Sequence, residues 1–440
     1  MSQPSIPTYC DASKFEANEA FARGLDERDP LASYRERFHI PLARDGRPCI
    51  YFAGNSLGLQ PKSARDYVNG ELDAWAERAV DAHFEGERPW YPYTELFRES
   101  GARLVGAVPG EVVMMNSLTA NLHFMMVSFY GPTPSRHKIL TDYPTFPSDM
   151  YALKSQIHHH GYDPDVDLIL LQPRDGEHLL REEDILKALK ENGEQIALVM
   201  LNGVNFFTGK AYDIKSITAA GRRQGCVVGF DLAHAVGNVE LNLHDNDVDF
   251  AVWCNYKYVN GGPGAVGGCF VHERHGRNLD LPRFSGWWGN DPDTRFKMHL
   301  LPDFVPREGA DGWQVSNPPI MALAPVKASM DIFDEVGMPA LRAKSMSLTG
   351  FLQYLIDQDN DDGGHARYEV ITPREPDARG CQLSILAHDQ PRELFESLSK
   401  EGVVCDFRQP NVIRVAPVPL YNTFHDVWRF ADVLQRQTRS

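Results

Sequence analysis

Two stretches decide the fold: CVVGFDLAHAVG, residues 226–237, and VDFAVWCNYKYVNGG, residues 248–262. Each opens with a short unbroken apolar run and then breaks at polar residues, Asp231 in the first and Tyr256-Lys257 in the second. A run that is apolar at successive positions suits a strand buried on both faces, as in a parallel sheet covered by helices. Working outward, KILTD (138–142), DLILL (167–171) and IALVMLN (196–202) have the same texture. Between them lie helical patterns. REEDILKALKE puts Ile185, Leu186 and Leu189 on one stripe, and Asp213 stands where it can cap a helix carrying Ile214 and Ile217. Strand and helix alternate, which predicts an α/β fold with a mostly parallel central sheet flanked by helices.

Past residue 320 the texture changes. A helical stretch runs through Met330 and Leu341 to Leu355, and strand-like EVITP, CQLSILAH and VIRVAP then surround the helical RELFESLSKEG. The division this predicts is a segment 1–70 without strong strands that packs on both domains, a large domain 71–320 and a smaller α+β domain 321–440. No internal repeat is present.

Composition excludes several classes. The chain has 440 residues, 42% hydrophobic and 24% charged, the content of a folded soluble protein. Its 44 Lys and Arg against 60 Asp and Glu leave a net charge of −16, which repels a phosphate backbone, so nucleic acid is not an expected partner. Seven widely spaced cysteines form no CxxC pair and read as free thiols of a reducing compartment. The polar N-terminal stretch lacks the apolar core of a signal peptide, and no run approaches a membrane span. A cytosolic protein is expected, with no membrane partner.

Ligands of an open α/β sheet bind beyond the carboxyl ends of its strands. Asp231, His234 three residues later, and Lys257 from the next strand would meet at that edge. A carboxylate and a lysine placed so are what a pyridoxal phosphate site needs: the amine to hold the aldehyde, the carboxylate to keep the ring nitrogen protonated. The cofactor's phosphate needs local donors in a chain of this charge. NSLTANLHFMM supplies Asn116, Ser117 and Thr119 ahead of a helical run, so the amides near Leu118 and Thr119 open toward an anion. In YPTFPSD, Phe146 offers a ring for stacking, with Ser148 and Asp149 nearby. Each residue alone has a plainer reading: a helix cap, a solvated lysine, a packed aromatic. Asp231 and Lys257 at this spacing bring the functional reading level with it.

Other features carry less. GPGAVG, residues 262–267, matches a dinucleotide fingerprint, yet a strand-like segment follows it rather than a helix, so these glycines serve to turn the chain after Lys257. The consecutive His158, His159 and His160 diverge and read as surface, and DNDDGG (359–364) reads as a solvated turn rather than a calcium loop. No metal site is expected. Arg414, alternating with Ile413 and Val415, would be costly to bury unpaired and should meet a carboxylate, structural or from a substrate.

Taken together, YFAGNSLGLQP, AHFEGERPW, NSLTANLH, YPTFPSD, GFDLAHAVGNVEL, CNYKYVNGG, TRFKM, SNPPI and IRVAPVPLYNTFHDV run in the order seen in the kynureninase family, fold type I pyridoxal phosphate hydrolases. The chain resembles that family from Tyr51 to Asp426 and is similar to the eukaryotic type. The resemblance implies hydrolytic Cβ–Cγ cleavage of L-kynurenine or 3-hydroxy-L-kynurenine to an anthranilate and L-alanine, in tryptophan catabolism and NAD biosynthesis. It implies that Lys257 holds the cofactor, Asp231 pairs with its ring nitrogen beside His234, and Leu118, Thr119 and Tyr256 contact the phosphate. Phe146 lies on the ring, the run Phe146, Pro147, Ser148 and Asp149 borders it, and Asn202 joins the cofactor contacts. Trp287 and Asn317 match contacts that come from a partner subunit, which implies a homodimer with shared sites. Arg414 would clamp the substrate's carboxylate, and Ser56, His83, Ser316 and Asn317 match positions around its aromatic end. His83 and Asn317 favour the 3-hydroxy substrate, and Lys257 and Tyr256 carry the proton transfers. One departure stands out: Asn202-Gly203-Val204-Asn205 replaces the family's frequent Ser-Gly-Val-His, leaving the role of Asn202 open. A cysteine desulfurase of the same fold is the nearest rival, but Cys254 and Cys269 both sit in strand-like runs.

Overall fold

The computed structural model describes residues 6–10, 12–362 and 367–439. Seven strands form the main sheet: β1 (Val112–Met114), β2 (Lys138–Asp142), β3 (Leu168–Leu171), β4 (Ile196–Asn202), β5 (Val227–Asp231), β6 (Phe250–Trp253) and β7 (Gly268–Val271). Their spatial order is β1-β7-β6-β5-β4-β2-β3. Strands β2 to β6 pair in parallel, whereas β7 is antiparallel to both of its neighbours, β6 and β1. Every residue of β4 is buried, as an apolar run between two helical layers requires. The reading of strands was correct for β2 to β7 apart from one or two residues at their starts. Asp167 ends a short helix, Pro164–Asp167, instead of opening β3. Strand β1 had no counterpart in that reading, because three residues beside the polar turn Asn116-Ser117 carry no periodicity of their own.

Helices cover both faces. Asp213 caps the helix Ile214–Arg223 as expected, its carboxylate accepting from the Ser216 amide at 3.1 Å. In Glu182–Asn192, Ile185 and Leu189 are buried and Leu186 packs partly against the core. The helical stretch after residue 320 is two helices, Ile320–Val336 and Met338–Asp362. The second runs further than expected: Asp359–Asp362 are helical, so the turn predicted for DNDDGG begins no earlier than Gly363, and residues 363–364 lie outside those described.

A second core lies against a four-stranded antiparallel sheet: β8 (Tyr368–Val370), β9 (Leu383–Ala387), β10 (Asp406–Arg408) and β11 (Val412–Val415), ordered β10-β11-β9-β8. Within it, Arg414 on β11 faces Ser384 on one side and Asp406 on the other. The N-terminal segment feeds both cores: Phe15, Leu25, Ile50 and Phe52 join the smaller, Leu31, Phe38 and Leu59 the larger. Ile50–Tyr51 pairs in parallel with Val403–Val404. Among the described residues, no helix is long and apolar enough to cross a membrane.

Candidate active site

All parallel strands point one way, so the residues that follow them gather at one edge. Asn116 takes a left-handed conformation (φ 46°), which its short polar side chain tolerates, and its carbonyl accepts from the Gly267 amide. The turn launches the helix Leu118–Phe129, whose N-cap side chain, Ser117, makes no capping bond, so its first amides are not spent on it. After β6 the chain reverses at once: Asn260 donates to the Lys257 carbonyl, and Gly262 (φ 91°) and Gly264 (φ 70°) carry it back to β7. The predicted turning role of these glycines is the observed one.

These segments enclose a cavity of about 180 Å³ lined by Leu118, Thr119, Phe146, Ser148, Asp149, Asn202, Phe206, Asp231, Ala233, His234, Tyr256 and Lys257. Lys257 Nζ lies 3.0 Å from His234 Nε2 and 5.7 Å from the centre of the Phe146 ring. Burial, then the charge of Lys257, pushes the His234 pKa well below the usual histidine range, so its ring is neutral beside the amine. Asp231 accepts from the Ala233 amide at 2.6 Å, which fixes its carboxylate. Asp149 stands against it. Burial and the neighbouring Asp231 carboxylate raise the Asp149 pKa well above the ordinary range, which favours the protonated acid at Asp149. Thr119 Oγ1 and Ser148 Oγ are 2.9 Å apart at the helix start. Burial also raises the pKa of Tyr256, which keeps its proton.

Pyridoxal phosphate fits these residues. Two buried carboxylates side by side call for a cation, which a protonated ring nitrogen provides. His234 Nδ1 and one Asp149 oxygen are buried with no hydrogen-bond partner. Free helix amides with the Thr119 and Ser148 hydroxyls suit a phosphate dianion.

Arg414 does not line the cavity but packs against Phe206, which does. Arg414 is buried, pairs with Asp406, and donates to the Phe206 carbonyl at 2.5 Å, so the expected carboxylate partner exists and is structural. Its Nε has no partner. Asn202 donates its amide to Asp142 at 2.8 Å, which gives the departing residue a definite task. The remaining expected residues do not line this cavity. Pro147 opens the helix Pro147–His159. Ser56, Ser316 and Asn317 are exposed, and Trp287 opens a short 3-10 helix, Trp287–Gly289, and packs edge-on to Trp288. His83 Nδ1 donates to the Val80 carbonyl at 3.0 Å and its ring lies edge-on to Trp90, which in turn lines a separate cleft with Pro319 and Ile320. The Ser56 segment does touch the lysine's own loop: Gly58 donates to the Tyr256 carbonyl at 2.8 Å, and a Cβ at Gly58 would lie 2.3 Å from the Lys257 carbonyl oxygen.

Sequence reasoning missed Asp142, Phe206 and Ala233. Asp142 ends an apolar run, the same signal that singled out Asp231. Phe206 has no such signal, since its place depends on residues of the smaller sheet. One further cluster, Glu111 with His244 and His272, has metal-ligand composition, and its atoms already bond within the protein: Glu111 accepts from the amides of Glu273 and Val108 and lies 2.9 Å from His244 Nδ1, and His272 Nδ1 accepts from the amide of Arg274. Cys254 and Cys269, the thiols a desulfurase would need mobile, are both buried.

Residues 93–362 match the aminotransferase class-V family and residues 341–434 the kynureninase C-terminal domain. Fold and site together define a fold type I pyridoxal phosphate enzyme. A solved cysteine desulfurase from Thermococcus onnurineus superimposes with a TM-score of 0.69 at 16% identity over 89% of this chain and 95% of its own, a likeness of fold alone. The sequence goes further. A kynureninase of Koribacter versatilis is 55% identical over 95% of this chain and 97% of its own, and one of Nematostella vectensis is 47% identical over 94% and 92%. The chain belongs to the kynureninase family, whose members use pyridoxal phosphate. The bacterial relative is the more similar of the two, so these comparisons do not single out the eukaryotic type.

Proposed function

We propose that this chain hydrolyses the Cβ–Cγ bond of L-kynurenine and, in preference, of 3-hydroxy-L-kynurenine, and that it does so as a cytosolic homodimer with shared sites. The observation that carries the reading is the meeting of Lys257, His234, Asp231 and Asp149 under Phe146, in a chain half identical to kynureninases. Residues 71–320 would hold the cofactor, 321–440 bring Arg414, and 1–70 pack on both.

Bound pyridoxal phosphate supplies an electron sink conjugated to the substrate's Cα. The chain's own residues do the rest. Asp231, with Asp149 beside it, would hold the ring nitrogen, and the helix start at Leu118–Thr119 with Ser148 and Tyr256 would hold the phosphate. Arg414 would bind the substrate's carboxylate, a planar pairing that fixes which Cα bond stands perpendicular to the ring. Lys257 Nζ would take the Cα proton, and neutral His234 beside it accepts without competing for charge. Water adds to the side-chain ketone, and the Cβ–Cγ bond breaks to release the anthranilate acid. Tyr256, which burial keeps protonated, would give a proton to the carbon that remains. His83 and Asn317, with Trp287, Ser56 and Ser316, would form the aryl end across the subunit contact. Polar groups built for a 3-hydroxyl discriminate against the analogue lacking it, which leaves them unpaired.

The test is release of fluorescent anthranilate from L-kynurenine and 3-hydroxy-L-kynurenine by the cofactor-loaded protein. A higher kcat/KM for the 3-hydroxy substrate supports the preference, equal values remove it, and no release from either overturns the assignment.

A further inference from the structure

Asp142 lies behind the cavity and not in its wall. It is wholly buried at the end of β2, with no cation against it. What balances it is a set of donors. Oδ1 accepts from the Asn202 backbone amide at 3.2 Å and the Asn202 side chain at 2.8 Å; Oδ2 accepts from Asn205 Nδ2 at 3.0 Å and the Tyr212 hydroxyl at 3.3 Å. A buried carboxylate that collects this many donors determines the orientation of each.

Asn205 is the informative partner, because its amide cannot turn over. Its Oδ1 accepts from the amides of Phe207 and Thr208, each at 3.0 Å, and from the Thr208 hydroxyl; its Nδ2 also donates to the Pro144 carbonyl at 3.0 Å. The turn 205–208 is therefore pinned to Asp142 in one orientation. That turn presents the Phe206 carbonyl, which accepts Arg414 Nη1 at 2.5 Å and Gln382 Nε2 at 3.0 Å. The other guanidinium contact, Asp406, lies on the neighbouring strand of the same small sheet and moves with Arg414. The Phe206 carbonyl is thus the contact that ties Arg414 to the large sheet.

We propose that Asp142 is a positioning residue for Arg414, acting through Asn205 and the Phe206 carbonyl to aim the guanidinium at the substrate's carboxylate. The inference rests on the reading of Arg414 given above. An asparagine at 142 keeps the shape but not the chemistry. The Asn202 amide requires an oxygen at one position, so the new NH₂ faces the donors of Asn205 and Tyr212, and Asn205 cannot flip to meet it.

The experiment is a double-mutant cycle on the holoenzyme at saturating pyridoxal phosphate, with Asp142→Asn, Arg414→Gln and the pair, reading KM and kcat for L-kynurenine. In the Arg414→Gln variant Asp406 keeps Arg408 as partner at 3.0 Å. We expect Asp142→Asn to raise KM about tenfold with kcat changed less than about twofold, and to add less than about twofold to KM once Arg414 is gone, since residues acting in series are not additive. An unchanged KM, or an equal rise in both backgrounds, overturns the inference. If Arg414→Gln itself leaves KM unaltered, the reading of Arg414 fails instead. Should Asp142→Asn not fold, Tyr212→Phe removes one donor from the same oxygen at nearly constant volume. The same cycle then applies, with a KM rise of about twofold expected only where Arg414 is present.

Discussion

The cavity around Lys257 and the group formed by Ser56, His83, Trp287, Ser316 and Asn317 make an instructive contrast. In the first, side chains are buried, neighbours are set by strand register, and each polar group is poised against another: Lys257 on His234, Asp231 on the Ala233 amide, Thr119 on Ser148. In the second, residues ride on irregular segments, Ser56, Ser316 and Asn317 are exposed, and none reaches the cavity within the chain. Parallel strands deliver their ends to one edge whatever follows, so the first group forms by topology. On the reading proposed above the second is completed by the partner subunit, and the exposed apolar residues Trp75, Phe84, Phe296 and Leu300 are features of the same chain that such a contact would cover.

The contrast can be broken most forcefully at the lysine. Lys257→Ala should lower kcat by about a thousandfold or more, and abolish the cofactor's lysine-linked absorbance, since in the proposed function the amine both holds the cofactor and moves the proton. A variant that keeps its colour and turns over would remove Lys257 from the site. Whether the outer group serves the neighbouring copy is sharpened by mixing: Lys257→Ala and Asn317→Ala proteins, each crippled alone, should regain up to about a quarter of wild-type activity after subunit exchange, because one of the two sites per mixed dimer is intact. No recovery despite exchange would place Asn317 in its own chain's site or in none.

A smaller effect is expected on selectivity. His83→Ala should cut the preference for 3-hydroxy-L-kynurenine over L-kynurenine by about tenfold, the size of one hydrogen bond to a hydroxyl. Equal loss on both substrates would make His83 a packing residue of Trp90.

The mildest test concerns stability without cofactor. Asp149 has its folded pKa raised above the unfolded value of 3.8, so its contribution is fully present below that value and is lost as pH rises through the folded one. Asp149→Asn should therefore raise the Tm of the cofactor-free protein at pH 8 more than at pH 5. A uniform shift would mean that Asp149 is not held protonated by its burial beside Asp231. His234 contributes in the opposite sense. Its lowered pKa makes the unfolded chain take up a proton first, so stability falls as pH drops through 6.5, and His234→Gln should flatten that decline in thermal melts.

Much of the first region was legible. Unbroken apolar runs marked the strands, and the polar residues ending them marked Asp231 and Lys257, because burial on both faces leaves only a strand's end free to carry polar chemistry. Asp142 obeyed the same rule and was passed over, since a single carboxylate after KILTD has no spaced partner in sequence to draw notice. Phe206 was illegible for another reason: its place depends on how the small sheet leans on the large one, which no local pattern encodes, whereas the carboxylate partner expected for Arg414 is Asp406, fixed by the register of two strands within the small sheet. The placement of His83 and Asn317 came through family resemblance alone.

The pairing of Ile50–Tyr51 with Val403–Val404 joins segments more than three hundred residues apart. During synthesis the N-terminal strand emerges early and has no partner until the last tenth of the chain leaves the ribosome. Phe15, Leu25 and Phe52 must wait with it, because the smaller core they enter is built largely from residues beyond 348. The nascent protein therefore carries an unsheltered apolar end for nearly its whole translation, and its dependence on chaperones should be concentrated there.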